Sequence, residues 1–425
     1  MEISAALEYI HNVKWQRRKP GLGRTRALLA SLGNPERSLR FVHVAGTNGK
    51  GSTSAYIASV MMKAGYRTGL FTSPHLRCVN ERIQVDGADI TDGELAAITG
   101  EIRPYADCME DTPTEFELIT ALGMMHFRNK SCDIVVLEVG MGGELDSTNV
   151  IDAPEAAVIT AIGFDHVNEL GPTISDIAGA KAGIIKHGGD VVVYGGEAAV
   201  EAVFERVCKE RDATLRKTDF TRITDCEYSL DGTKFGFKPY GELSIPLLGD
   251  HQPMNAALAI TVLELLRGKG FSITDADIAT GLAATRWPGR FEVLGREPTF
   301  ILDGAHNPHA FKAVAESLER HFGGKKVVFI TSVMSDKDVD AMIPIIAPLA
   351  SAFFAVKINY SRAMDAGELA GRLSRYDAPV FAADTVAEGV AEAIVRAGKD
   401  GVVCAMGTLM MSDEVRAAYI SYKAG

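Results

Sequence analysis

The feature that most restricts this chain is a glycine-rich run, Gly46-Thr47-Asn48-Gly49-Lys50-Gly51-Ser52. It lies between an apolar stretch, Phe41–Val44, and a segment of helical spacing, Ser54–Lys63. A loop that leaves a strand and enters a helix aims successive backbone N–H groups at one anion, reinforced by the positive helix end. Asn48, Gly49, Lys50, Gly51 and Ser52 are therefore the candidate phosphate-holding residues. Lys50 would neutralise charge on the outer phosphates, and the Ser52 hydroxyl falls where such loops hold phosphate or a divalent ion. The usual GxxxxGK[ST] pattern is not met, because Val44 takes the place of its first glycine and Gly51 follows the lysine. A plain glycine turn is the alternative, and a lysine in this setting weighs against it.

Phosphate loops of this kind sit on parallel sheets, and the chain supplies the pattern of one. Asp133–Val139, Ala157–Thr160 and Val191–Tyr194 are short β-branched runs of the sort buried on both faces, separated by helical patterns such as Glu115–Phe127. The alternation predicts an α/β fold with helices on both faces of a mostly parallel sheet. Thr221–Leu248 differs: strand-like alternation around Asp231-Gly232 and Tyr240-Gly241 predicts a small antiparallel region. Beyond the helical segment Asn255–Leu266, the Pro288-Gly289 pair interrupts regular structure. Alternation then restarts, with Phe300–Leu302, Lys326–Ile330, Ser351–Ile358, Pro379–Ala382 and Gly401–Ala405 as strands. The expected organisation is a domain at 1–286, a linker at 287–296 and a smaller domain at 297–425.

The chain's 425 residues suit two or three domains, and 47% hydrophobic with 23% charged residues is the balance of a globular protein. Its 44 Lys and Arg against 55 Asp and Glu leave a formal charge of −11. That balance counts against broad binding to nucleic acid or an anionic membrane, so any anion must be held by locally placed groups. Arg17, Arg18, Lys19, Arg24 and Arg26 form a local basic cluster, which reads as a solvated face or as help for an anionic substrate. Six dispersed cysteines without a CxxC pair fit a reducing cytosol. Met1–His11 carries Glu2 and Glu8 and no apolar h-region, so no secretory signal is expected. The longest uncharged run, Ala341–Val356, is 16 residues interrupted by Pro344 and Pro348. A bilayer span needs about 20. A cytoplasmic protein is expected.

Two further motifs end strands of the first domain. Ile134-Val135-Val136-Leu137-Glu138 closes four apolar residues on an acid. A carboxylate there is costly unless it is paired or coordinates a metal. Asp165-His166 follows the strand Val158–Ala161. Alone it reads as a helix cap and a surface histidine; in the same sheet as Gly46 and Glu138 it becomes a ligand candidate, because ligands of open α/β sheets gather at the strands' carboxyl ends.

These residues, taken in order, carry a family resemblance. His43–Ser52, Thr72-Ser73-Pro74-His75-Leu76 with Asn80-Glu81-Arg82-Ile83, Glu138-Val139-Gly140-Met141-Gly142-Gly143 and Asp165-His166 come first. Ile177–Ile184 around Lys181, His251-Gln252 with Asn255, Trp287–Phe291 and Asp303-Gly304-Ala305-His306-Asn307-Pro308 follow. The series resembles the folylpolyglutamate synthase/dihydrofolate synthase family of the Mur ligase superfamily. The resemblance implies a P-loop ATPase domain followed by a Rossmann-like C-terminal domain, and an ATP-dependent amide ligase. On matching positions, Gly49, Lys50, Gly51 and Ser52 would hold ATP phosphates. Ser73, Glu138, His166 and a Lys181 carbamylated by CO2 would hold magnesium at two sites. Asn255, Arg290, Asp303 and His306 would contact the nucleotide. On the folate side, Phe116 and Asp146 would bind substrate, although Phe116 also fits a core stripe with Ile119 and Leu122. Three departures stand out: Glu144 where the family often has arginine, Ala180 where it often has glutamate, and Gly23 where an acid often precedes Arg24.

The chemistry so implied is attack of a folate carboxylate on the γ-phosphate, then attack of the glutamate amine on the acyl phosphate. Lys50, Lys181 and His166 are the implied catalytic residues. ATP, L-glutamate and a folate or dihydropteroate are the implied partners, with the enzyme acting as a monomer. ATP elements on both sides of the linker imply that closure completes the site. Another Mur-superfamily amino-acid ligase, or a P-loop regulator without ligase activity, are the alternatives.

Overall fold

The protein is described by a computed structural model, covering residues 1–12 and 21–424. Arg17, Arg18 and Lys19 of the basic cluster lie outside the described residues. The chain divides into two compact units: Met1–Thr224, Gly236–Leu243 and Met254–Thr285 form the first, and Asp225–Phe235, Ser244–Pro253 and Arg286–Gly425 the second.

The first unit is built on eight strands: β1 (Phe41–Ala45), β2 (Thr68–Phe71), β3 (Ile83–Val85), β4 (Ala88–Asp89), β5 (Ile134–Glu138), β6 (Ala156–Ile159), β7 (Asp190–Val193) and β8 (Thr214–Lys217). Their order is β4-β3-β2-β5-β1-β6-β7-β8. All neighbours are parallel except β2–β3 and β3–β4. The central strands β1, β5 and β6 are buried along their whole length, which is why they read as mostly apolar runs, with His43 inside β1 and Glu138 ending β5. Register places Val44 of β1 beside Glu138 of β5, so the glycine-rich loop and the acid leave the sheet at the same carboxyl edge.

The helix after the loop begins at Lys50, four residues earlier than the apolar periodicity indicates, and runs to Lys63. Gly51 through Met61 are all buried. Two to three turns along, neighbouring backbone lies close to the helix: the Ser59 hydroxyl reaches Gly281 O at 2.6 Å, and a Cβ on Gly281 would lie 2.5 Å from Val60 Cα. The helix Glu115–Asn129 starts with a capping box in which Thr114 and Glu117 satisfy each other's backbone N–H. Glu117 also takes Arg24 Nε at 3.0 Å and Nη2 at 3.0 Å, a largely buried pair.

Strands β9 (Ile223–Ser229), β10 (Gly232–Phe237) and β11 (Gly241–Ile245) form a separate sheet ordered β11-β10-β9. The short connections at 230–231 and 238–240 are those of consecutive hairpins. The second unit carries β12 (Glu292–Arg296), β13 (Thr299–Leu302), β14 (Val327–Thr331), β15 (Ala350–Val356), β16 (Val380–Ala383) and β17 (Val402–Met406), ordered β12-β13-β17-β14-β15-β16. Only β12 is antiparallel to its neighbour. It occupies residues read from the sequence as linker, and Glu292 secures it through two hydrogen bonds from Arg416, at 2.7 and 2.6 Å. The uncharged run at 341–356 resolves into the end of helix Val339–Ile346, a short 3-10 turn and the buried strand β15. Among the described residues no helix is long and apolar enough to cross a membrane.

Candidate active site

The loop Gly46–Gly49 is shaped by space as much as by conformation. Gly46 has φ 151°, and a Cβ there would lie 1.8 Å from Thr160 Oγ1. Gly49 has φ 85°, and its Cβ would meet Asn255 Oδ1 at 2.7 Å. Both positions exclude side chains, which leaves the loop's backbone open as a cradle. The loop is tied to the segment after β6. Thr47 N and Asn48 N donate to Ala161 O at 3.0 and 3.2 Å, and the Thr47 hydroxyl lies 3.0 Å from Gly163 O and 3.1 Å from Gly163 N. Thr47 was not singled out in the sequence; its partner lies 116 residues away, and nothing local signals the clamp.

Two lysines converge on one carbonyl. Lys181 Nζ donates to Gly46 O at 2.8 Å, and Lys50 Nζ donates to Gly46 O at 3.2 Å and Thr47 O at 3.3 Å. Lys181 is 4% exposed. Burial, with the Lys50 cation adding to it and Asp165 and Asp146 opposing it, pulls its pKa from 10.5 down to about 7. A buried amine that is readily neutral is a nucleophile, the form CO2 requires.

At the end of β5, Glu138 is buried, and its Oε2 accepts Ser73 N at 3.2 Å. The structure thus brings Ser73 to Glu138 and Lys50 to Lys181. His166 lies just beyond the Thr47 clamp, in the left-handed region with φ 51°, at the start of the short helix Val167–Leu170. Its ring is 3.9 Å from Asp165 Oδ1 and 4.0 Å from Glu169 Oε2. Carboxylate and hydroxyl oxygens suit a hard divalent cation, and the buried acid at Glu138 fits that use. Among the described residues no three His, Cys, Asp or Glu side chains form a ready-made metal cluster.

Phe116 and Asp146 meet over Gly140: a Cβ on Gly140 would be 2.6 Å from Phe116 Cζ and 3.1 Å from Asp146 Oδ2. Phe116 is half-buried, and its ring stands edge-on to Phe71 with centroids 6.1 Å apart. It belongs to the core stripe and reaches the loop as well. The loop itself is packed backbone to backbone on the helix Ile174–Ala182 that carries Lys181. Glu144 N donates to Ala180 O at 2.9 Å, and a Cβ on Gly183 would lie 2.3 Å from Glu144 Cβ.

Within the second unit, Asp303 is buried, and burial pushes its pKa up despite Arg290. Its carboxylate accepts Phe291 N at 2.6 Å and Ala305 N at 2.7 Å, so it holds the residue after Arg290 against the Gly304 turn. Arg290 Nη1 donates to Gly289 O at 3.2 Å. His306 Nδ1 donates to Gly304 O at 2.8 Å.

The Mur ligase middle domain matches residues 44–263, and the Mur ligase glutamate ligase domain matches residues 289–409. The chain is 36% identical to dihydrofolate synthase/folylpolyglutamate synthase of Bacillus subtilis, over 94% of each chain. It superimposes on a Mycobacterium tuberculosis folylpolyglutamate synthase complexed with ADP and AMPPCP with a TM-score of 0.89 and 31% identity, covering 99% of this chain and 98% of that one. The E. coli FolC structure in complex with DHPP and ADP matches with a TM-score of 0.88 and 27% identity, covering 100% and 99%. This chain belongs to the Mur ligase family, in its branch of folylpolyglutamate and dihydrofolate synthases.

Proposed function

We propose that the protein is an ATP-dependent ligase that adds L-glutamate to folates, giving tetrahydrofolate polyglutamates, and also to dihydropteroate, with release of ADP and phosphate. The observation that carries this reading is the convergence of Lys50 and Lys181 on Gly46 O. It sets a cationic phosphate residue beside a buried amine suited to carbamylation, at the sheet edge where Glu138 ends β5. The relatives' names and the ADP complexes support the same reading.

A carboxylate is a poor electrophile, so the amide is reached through an acyl phosphate. The loop N–H groups of Asn48–Ser52 hold the phosphates, and Lys50 offsets charge on the group being transferred. Asn255, Arg290, Asp303 and His306 serve the nucleotide, Asp303 by orienting its neighbours through two backbone N–H groups. Ser73, Glu138, His166 and carbamylated Lys181 would hold magnesium, which supplies charge neutralisation on the phosphoryl oxygens when bound. Phe116 and Asp146 flank the acceptor. Six free cysteines, three of them buried, support a reducing cytoplasm. The test is the coupling of ADP release to acceptor and glutamate. A P-loop regulator would hydrolyse ATP without either.

A further inference from the structure

A buried chain of three side chains runs from beneath the phosphate loop to the acceptor side of the site. His43, in the middle of β1, is fully buried, as is Thr148, and Asp146 is 8% exposed. His43 Nε2 lies 2.9 Å from Thr148 Oγ1, and Thr148 Oγ1 lies 2.6 Å from Asp146 Oδ1. The hydroxyl has one proton. Burial raises the carboxyl pKa of Asp146, but hydrogen bonds from Thr148 and from the backbone N–H of Met141 and Thr148 favour its charged form. A carboxylate only accepts, so the Thr148 proton goes to Asp146 and the hydroxyl must accept from His43 Nε2–H. Nδ1 is then bare, and among the described residues it has no partner. This agrees with a histidine whose pKa burial lowers to about 3.

The consequence is directional. Oδ1 of Asp146 is filled by the Thr148 hydroxyl and by Thr148 N at 3.0 Å, while Oδ2 takes Met141 N at 2.9 Å and faces Gly140 and Phe116. Rotation of the carboxylate would break the 2.6 Å bond and strand the buried Thr148 hydroxyl proton, whose oxygen already accepts from His43. We propose that His43 and Thr148 are positioning residues that lock the Asp146 carboxylate, and with it the Gly140–Asp146 loop, in the orientation that receives the ring end of the acceptor. The proposal rests on the acceptor-binding reading of Asp146.

The experiment is steady-state kinetics of the full chain carrying Thr148→Val, Thr148→Ser, His43→Phe or Asp146→Asn, with ATP and acceptor varied separately and thermal unfolding measured alongside. Thr148→Val, which removes a hydrogen bond to the carboxylate, should raise KM for the acceptor by about tenfold or more, and His43→Phe, which frees the hydroxyl to turn away from it, should raise it in the same direction. KM for ATP should stay within about twofold, and Thr148→Ser should restore the wild-type value because it keeps the hydroxyl. Equal changes in both KM values, or an unchanged acceptor KM, overturn the proposal. If Asp146→Asn raises the acceptor KM and the other two do not, the positioning chain fails while the acceptor reading stands. Should Asp146→Asn leave it unchanged, the acceptor reading fails and takes the proposal with it. If Thr148→Val unfolds, His43→Phe and Thr148→Ser decide between the same outcomes.

Discussion

Lys181 and Lys50 share one acceptor, the carbonyl oxygen of Gly46, at 2.8 and 3.2 Å. Burial, with repulsion by the Lys50 ammonium adding to it, lowers the pKa of Lys181 to about 7. The arrangement is unfavourable for an unmodified protein and favourable once Lys181 carries a carbamate, which turns repulsion by Lys50 into attraction.

Lys181→Ala should therefore lower kcat by about a hundredfold or more, the scale of losing one electrostatic stabiliser. Added acetate or formate should recover part of the activity by occupying the vacated space. Full activity without added carboxylate would count against the carbamate.

The same lysine makes a stability prediction in CO2-free buffer. Its folded pKa of about 7 lies below its unfolded value near 10.5, so between those pH values the unfolded chain binds more protons. Stability should then rise with pH across that window, and be least favoured by this group below pH 7. Lys181→Met should flatten the rise, measured by urea unfolding at several pH values. An unchanged slope would mean the ammonium is not desolvated.

Gly46→Ala tests the cradle. Its Cβ would overlap Thr160 Oγ1 at 1.8 Å, in a backbone conformation with φ 151° that alanine avoids. A cost of about 2–4 kcal/mol is expected, from overpacking plus backbone strain. ADP affinity should fall with it, and calorimetric titration alongside urea unfolding would measure both.

Arg24 and Glu117 form a largely buried ion pair, with side chains 13% and 5% exposed. Arg24→Ala leaves the acid buried with only its cap contacts and should destabilise by about 2–4 kcal/mol. Adding Glu117→Gln should recover most of that loss. A double variant no better than the single would assign the cost to lost packing.

The legible parts of this chain were those whose physics is local. β1, β5, β6 and β7 are covered on both faces, so they wrote mostly apolar runs. β8 has three of four residues exposed and left no such run; β3 and β4 are three- and two-residue strands too short for any period to register. The glycine loop was legible because positive φ demands glycine, and Glu138 because an acid ending an apolar strand is costly. What could not be read is long-range. Lys181's burial, Thr47's clamp on Gly163 and the His43–Thr148–Asp146 chain each join residues over 100 positions apart, except for the Thr148–Asp146 link. The Asp-Ser-Thr-Asn run at 146–149 is a turn signature in hindsight, yet a turn says nothing about a histidine from another strand.

The central claim is tested most directly by ADP release from purified protein, with ATP, magnesium and L-glutamate, and with dihydropteroate or tetrahydrofolate supplied in turn. The account predicts release that needs both glutamate and an acceptor, one ADP per amide formed, and none from Lys50→Ala despite a normal fold. ADP released at the same rate with neither acceptor present, or undiminished acceptor-dependent turnover by Lys50→Ala, would contradict it.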